Sequence, residues 1–188
     1  MIFPANFPVI YKDELILKKP LITHFKDIFE IFSNEEVVMY DIFPKMANYD
    51  QAKRYIERYE KEFAEKEEIT WIIHDRNSEE SVGVCCLGDF DFDSQRCEIG
   101  YDIKRRFWNQ GYATKTIKAI TEYAFKELGL NRVEAFISPE NKASIRVLEK
   151  CGYSYEGLLR QRDLIKGKLE DAYVMVLLKD DSKKSLLR

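Results

Sequence analysis

The segment FWNQGYATKT, residues 107–116, combines a glycine turn with the start of a helical pattern, and three cations at 104–106 precede it. A junction of this kind leaves backbone N–H groups unpaired at the positive end of a helix dipole, which suits phosphate. Gly111 permits a backbone conformation that a larger residue would resist, and the small Ala113 keeps the first turn open. The cations would add positive charge nearby. Neither the Walker pattern nor G-x-G-x-x-G is present, so this segment alone suits a phosphate site or an ordinary helix start.

The stretch PENKASIRVLEKCGY, residues 139–153, offers a second set of polar groups. Asn141 stands at a helix N-cap position, and Ser144 lies one turn into the predicted helix. Tyr153 follows the same helix with another hydroxyl. Each has an ordinary alternative, because Asn often serves only as a cap and Ser often faces solvent. The stretch therefore predicts a helix that begins at an Asn cap and has hydroxyl groups near both ends.

Two carboxylates on predicted strands could act as a general base through water. Glu98 lies in CEIGYDIK, residues 97–104, where face alternation is clear, and Asp163 follows EGLLRQR. Either could equally be an exposed strand carboxylate or a salt-bridge partner. The sequence leaves the choice of base open.

Metal chemistry has little support in the composition. The side chains best suited to bind zinc are four cysteines and two histidines: Cys85, Cys86, Cys97, Cys151, His24 and His74. They form no C-x-x-C pair, and the histidines lack ligand spacing. The sequence therefore predicts reduced thiols and no metal.

The bulk composition fits one globular domain. The chain has 188 residues, of which 45% are hydrophobic and 34% charged, and no apolar run approaches the roughly 18 residues of a membrane span. A net charge of −3 gives little attraction to nucleic acid. The first 15 residues lack the features of a signal peptide, so a cytoplasmic location is expected.

The periodicity indicates the elements that must position these groups. Alternating or β-branched runs predict strands, and apolar residues at i, i+3 and i+4 predict helices. The predicted strands are 14–19, 69–75, 81–90, 97–104, 131–138 and a closing hairpin of 153–163 with 169–179. The predicted helices are 23–32, 50–66, 112–128 and 141–152. The order predicts an α+β or α/β sandwich around one twisted sheet.

The run EIGYDIKRRFWNQGYATKTIKAITEYAFKELGLNRVEAFISPENKASIRVLEKCGYSYEGLLR resembles the core of the GNAT acetyltransferases. It is most similar to the branch that contains the RimJ and RimL ribosomal-protein N-terminal acetyltransferases and the spermidine acetyltransferases. The resemblance is close over residues 97–179 and looser over nearly the full chain. It implies a single domain, 1–188, with one mostly antiparallel sheet, a splayed central strand pair and helices on both faces. Its implied parts are acceptor-side elements at 1–96, an acetyl-CoA-binding core at 97–152 and a closing hairpin at 153–180.

The resemblance also implies where acetyl-CoA binds. The family's Q/R-x-x-G-x-G/A segment holds the pyrophosphate through backbone N–H groups and matches residues 108–113, with Trp108 in place of Gln or Arg. The family's N-x-x-S matches Asn141 and Ser144, which would face the pantetheine arm and the thioester. Lys115 stands where the branch often has an acid. The implied acetyl-CoA contacts are Ile103, Trp108, Asn109, Gln110, Gly111, Tyr112, Ala113, Thr114, Asn141 and Ser144.

The implied reaction is direct attack of a neutral amine on the thioester, without an acyl-cysteine or a metal. The splayed strands would hold pantetheine, and an N–H near Ile103 would polarise the carbonyl. Ser144 or Tyr153 would protonate the departing thiolate. A protein N-terminal α-amine is the expected acceptor, because its pKa of about 8 makes deprotonation easier than for a lysine at about 10.4. A polyamine, an aminoglycoside and a catalytically silent CoA-binding module remain alternatives, and a homodimer is left open.

Overall fold

The computed structural model of the protein describes residues 3–181. One sheet of eight strands runs through this part of the chain, in the order β1-β2-β3-β4-β5-β6-β8-β7. The strands are β1 (Ile10–Lys12), β2 (Leu15–Lys18), β3 (Ile69–Asp75), β4 (Ser81–Asp91), β5 (Arg96–Ile103), β6 (Arg132–Ile137), β7 (Ser154–Ile165) and β8 (Lys168–Leu178). The α-helices are α1 (Phe25–Phe32), α2 (Tyr49–Glu65), α3 (Tyr112–Lys126) and α4 (Lys142–Lys150). Short 3-10 helices lie at Ile22–His24, Val37–Tyr40 and Arg105–Phe107.

The predicted α+β architecture is confirmed, with one correction at its first edge. The strand predicted at 14–19 is β2, and it pairs with a further strand, β1, that periodicity missed. Three residues, IYK, are too short to show alternation, and the hairpin turn passes through Asp13 with a φ of 50°. The remaining elements lie within about two residues of their predicted bounds, the usual scatter of helix and strand ends.

The pairing of β5 with β6 is parallel, whereas the other paired strands run antiparallel. It is also short, and it stops at the pair Glu98–Glu134. Past that point β5 stays paired with β4 to Ile103, while β6 stays paired with β8 to Ile137. The two strands therefore diverge, and the opening between 99–103 and 135–137 is called the β5–β6 gap below. This is the predicted splayed central pair.

Helices cover both faces of the sheet, as predicted. On one face α3 and α4 bury Ile117, Ile120 and Leu148 against the larger core. On the other face α1 and α2 form a second core that includes Val84 of β4. Trp108 packs against both cores, because it lies in the connection that leaves the gap end of β5.

Candidate active site

The first turn of α3 has no side-chain cap. Asn48 caps α2 and Asn141 caps α4, whereas the N-cap of α3 is Gly111, with a φ of 87°. The Lys115 N–H donates to Gly111 O at 3.1 Å and closes the first helical turn. The N–H groups of 112–114 precede that bond, so they have no acceptor within the helix. These donors and the helix dipole give the start of α3 a geometry that suits an anion.

The space in front of this turn is open. A Cβ built on Gly111 would have Lys115 Cε, at 3.9 Å, as its nearest neighbour, and Gly111 itself is exposed. Asn109 also adopts a positive φ, 60°, and the Gln110 side chain donates to Arg106 O at 2.8 Å. The predicted phosphate segment is therefore a turn shaped by its own backbone and side chains, with its amide edge accessible.

Side chains near the start of α3 hold the helix to β3 and to the β1–β2 turn. The Tyr112 hydroxyl donates to Asp75 Oδ2 at 2.5 Å, and this bond is the main reason that the pKa of Tyr112 rises to about 12. Lys115 forms an ion pair with Glu14, which lowers the pKa of that carboxyl. Lys115 therefore has a structural partner, and the backbone amides remain available to an anion.

The three cations before the turn, which were expected to add positive charge near a phosphate, are each paired with acids. Lys104 is 1% exposed, and its Nζ lies 2.7 Å from Asp27 and 2.8 Å from Glu30, both on α1. Arg105 and Arg106 stay exposed and pair with neighbouring carboxylates. Sequence alone could not reveal this, because the partners lie far away along the chain.

The backbone of Ile103 faces the β5–β6 gap. The Lys104 N–H donates to Val82 O of β4 at 2.9 Å, so alternation directs the N–H and C=O of Ile103 to the opposite side. Trp108 Nε1 donates to Ile103 O at 2.7 Å and occupies that carbonyl. Since the pairing with β6 ends at Glu98, the Ile103 N–H has no strand partner on the gap side.

Ser144 meets a hydroxyl that the sequence analysis missed. Its Oγ lies 2.7 Å from the hydroxyl of Tyr101, which is on β5 beyond the last β5–β6 pair. Asn141 Oδ1 accepts the Ser144 N–H at 3.1 Å, as expected of an N-cap. Burial raises the pKa of Tyr101 to about 12, although the bond to Ser144 opposes the rise. The alternation of CEIGYDIK, which puts Tyr101 on the face of Ile99 and Ile103, was the available signal.

Tyr153 does not fit the alternative proton-donor role. It is 3% exposed, and its hydroxyl lies 2.7 Å from Thr121 Oγ1 on α3, inside the larger core. Burial raises its pKa well above the usual range. The phenol is therefore a satisfied core group.

Arg162 brings the two predicted carboxylates together. Its guanidinium bonds Asp163 at 2.8 and 3.0 Å, lies 3.8 Å from Glu98 Oε2 and stacks 3.6 Å from the Phe136 ring centre. Burial raises the pKa of Glu98 to about 7, and Arg162 opposes that rise. The half-buried carboxyl of Glu98 therefore has a pKa near neutral pH. Asp163 holds the Arg162 guanidinium in place through two hydrogen bonds.

A second acidic group lies on the α1–α2 face. Asp102, between Tyr101 and Ile103, is half-buried, and burial together with the charge of Asp41 raises its pKa well above the usual range. Burial raises the pKa of Asp41 to about 6, against the opposing charge of Lys166. Strand alternation places Asp102 with Glu98, but the approach of Asp41 is a tertiary contact that no pattern predicted.

The described residues, 3–181, contain no group of three His, Cys, Asp or Glu side chains placed to hold a metal ion. The four cysteines are free thiols, three of them buried. Over the same residues, every helix is too short or too polar to cross a membrane.

Comparisons with known proteins show the family. The family model described as acetyltransferase (GNAT) domain matches residues 14–154. The uncharacterized N-acetyltransferase p20 of Bacillus licheniformis is 32% identical over 170 residues, which is 90% of this chain and 96% of that protein. The uncharacterized N-acetyltransferase YoaA of Bacillus subtilis is 36% identical over 155 residues, or 82% and 88% of the two chains.

Solved structures share the fold at lower identity. Spermidine N-acetyltransferase from Vibrio cholerae, in complex with CoA and spermine, superposes with a TM-score of 0.79 at 20% identity, over 90% of this chain and 98% of that one. Ribosomal-protein-S5-alanine acetyltransferase from Vibrio fischeri gives 0.77 at 17% identity, over 93% and 98%. The GNAT family uses acetyl-CoA, and this chain, an acetyltransferase enzyme, belongs to it.

Proposed function

We propose that the protein transfers the acetyl group of acetyl-CoA to a protein N-terminal α-amine. The observation that carries the donor half of this proposal is the uncapped start of α3 at Gly111, together with the nearby β5–β6 gap. The first feature offers amide donors for a pyrophosphate, and the second offers unpaired strand edges for an extended arm.

In this proposal the pyrophosphate accepts hydrogen bonds from the amides of 112–114, next to the turn formed by 108–111. The pantetheine arm then lies in the gap and runs toward Ser144 and Asn141. The Ile103 N–H donates to the thioester oxygen. The carbonyl of the same residue already accepts a hydrogen bond from Trp108 Nε1. A donor fixed in this way stabilises the negative charge that develops on the oxygen in the transition state.

Proton transfers are assigned to groups on either side of the gap. Glu98, acting through water, takes the proton that the amine loses, and its raised pKa makes it a suitable base near neutrality. The neutral nitrogen forms the new C–N bond, and the tetrahedral intermediate expels the CoA thiolate. Ser144 gives its proton to the sulfur, and Tyr101 resupplies Ser144. The nitrogen, which is positively charged after the attack, releases its second proton to solvent, and solvent returns a proton to Tyr101. The products are an N-acetyl amine and CoA.

The acceptor would approach from the α1–α2 face, where Glu98, Asp102 and Asp41 lie. These carboxyl groups suit an acceptor that arrives as a cation, which an α-amine with a pKa of about 8 does at neutral pH. A polyamine is the second candidate, because the acidic pair Asp41 and Asp102 could bind an additional ammonium. The fold neighbours named for ribosomal-protein S5 and for spermidine represent both acceptor classes.

A thiol-release assay separates these functions. The panel contains peptides with a free α-amine, the same peptides with a blocked N-terminus and one lysine, spermidine, and an aminoglycoside. We expect acetyl-CoA-dependent thiol release with the free α-amine peptides and little with the blocked ones. If spermidine is the only acceptor that supports thiol release, the protein is a polyamine acetyltransferase. Tight CoA binding without release across the panel would make the protein a CoA-binding module and contradict the proposal.

A further inference from the structure

Lys104 is a charged residue that is only 1% exposed, and its ammonium group pairs with two acids. Its Nζ contacts Asp27 Oδ1 at 2.7 Å and Glu30 Oε2 at 2.8 Å. These two acids lie on successive turns of α1, and their side chains are 30% and 45% exposed. The ammonium is therefore enclosed by protein, while its partners reach solvent from the other side.

The backbone around Lys104 is held from several directions. The Lys104 N–H donates to Val82 O at 2.9 Å, and Lys104 O accepts the Phe107 N–H at 2.9 Å. One residue earlier, Ile103 O accepts from Trp108 Nε1 at 2.7 Å. The side chain adds a link to α1, on the opposite face of the sheet from α3. The end of β5 is thus joined to β4, to the connection into α3, and to α1.

A buried ion pair is a weak source of net stability, because desolvation of the charges offsets much of their attraction. An apolar side chain of similar length would fill the same volume at the end of β5. It would not fix the distance between β5 and α1, which two charge-assisted hydrogen bonds do. The role of Lys104 is therefore better sought in geometry than in stability.

We propose that Lys104 is a positioning residue, which ties the end of β5 to α1 and so holds the Ile103 N–H and the acceptor-side helix in register. This inference rests on the proposed acetyl transfer. A shift of about 1 Å at the reacting atoms can lower the rate about a hundredfold. A small movement of the end of β5 relative to α1 should therefore lower kcat. Acetyl-CoA affinity should change little, because the α3 amides that would hold the pyrophosphate do not depend on Lys104.

The test compares Lys104→Met with a triple variant, Asp27→Asn/Glu30→Gln/Lys104→Met. The triple variant removes the charges together, so it leaves no unpaired carboxylate and remains informative if Lys104→Met folds poorly. Lys12→Met is the control, because it breaks the Lys12–Glu122 ion pair, which joins β1 to α3 and does not involve β5 or α1. Kinetics are measured well below the unfolding temperature of every variant.

We expect both Lys104 variants to lose about tenfold or more in kcat, with the CoA dissociation constant within about twofold of wild type. Amide hydrogen exchange at 103–107 should become faster in both, and Lys12→Met should change neither quantity. A triple variant with wild-type kcat and wild-type exchange at 103–107 would overturn the proposal. If no acceptor supports thiol release by the wild-type protein, the proposed function fails separately, and unchanged exchange at 103–107 would still overturn the positioning role.

Discussion

The hydroxyl of Tyr101 lies 2.7 Å from Ser144 Oγ and joins β5 to α4 beside the β5–β6 gap. Either oxygen can donate in this pair. Asn141 Oδ1 accepts the Ser144 backbone N–H at 3.1 Å, so the helix cap fixes the position of the Ser144 backbone beside Tyr101. In the proposed mechanism this pair acts as a short relay, in which Tyr101 replaces the proton that Ser144 gives up.

Ser144→Ala should lower kcat about tenfold to a hundredfold and leave the acetyl-CoA KM nearly unchanged, because the hydroxyl acts only as the thiolate leaves. Tyr101→Phe should lower kcat less, since Ser144 keeps its own proton. The double variant should resemble Ser144→Ala, because the two groups act in series. Steady-state kinetics with the best peptide of the panel measures each value.

Tyr153→Phe is the matched control for this relay. It removes a hydroxyl bonded to Thr121 in the core, so we expect normal kcat and a loss of about 1 kcal/mol in the free energy of unfolding. If Tyr153→Phe lost kcat while Ser144→Ala kept it, the acid role would pass to Tyr153. If neither variant mattered, the thiolate would leave with a proton from solvent.

The pH dependence of kcat/KM should report Glu98. The pKa of Glu98 is raised to about 7, so the carboxyl is protonated and inactive as a base below that pH, and the rate should rise as pH increases through about 7. Glu98→Gln should remove this acidic limb of the profile, in which kcat/KM rises with pH, and should lower the rate. Arg162→Gln should move the limb to higher pH, because Arg162 lowers the pKa of Glu98. An unchanged limb in Glu98→Gln would show that another group is the base.

Stability should fall in mild acid because of His74. Burial lowers its pKa from the ordinary 6.5 to about 4, and its Nε2 has no hydrogen-bond partner among the described residues. A depressed histidine pKa means that the unfolded chain takes up the proton first, so the stabilising contribution is lost as pH falls from about 6.5 toward 4. His74→Phe cannot be protonated and should unfold with a flatter pH dependence. Denaturant titrations at several pH values test this, and identical slopes for the two proteins would contradict it.

Local patterns were enough to predict the parts of the site that a single segment builds. Gly111 and Asn141 could be identified because a turn glycine and a helix cap are decided within a few residues. The alternation in CEIGYDIK fixed the faces of Glu98 and Tyr101, although the phenol was not singled out as a site group. The splayed strand pair followed from the family resemblance.

Groups whose role depends on a distant partner could not be assigned. Lys104 was expected only to add positive charge near the turn, because its partner Asp27 lies 77 residues away along the chain. Arg162 gave no signal, since its contact with Glu98 crosses two intervening strands of the sheet. Tyr153 has the same local setting as a surface tyrosine, and only the packed core shows that its hydroxyl is already bonded.

Calorimetric titration of CoA into Gly111→Glu tests the central claim most directly. The new carboxylate would stand where the pyrophosphate is proposed to bind, with open space around it and a strained φ of 87°. Gly167→Glu is the matched control, because Gly167 has a φ of 85° in the β7–β8 turn and nothing within 4 Å of an added Cβ, so it carries the same strain and charge away from α3. We predict that Gly111→Glu stays folded and loses CoA binding by at least about a hundredfold, while Gly167→Glu binds CoA like the wild type. Wild-type CoA affinity in Gly111→Glu would contradict the account.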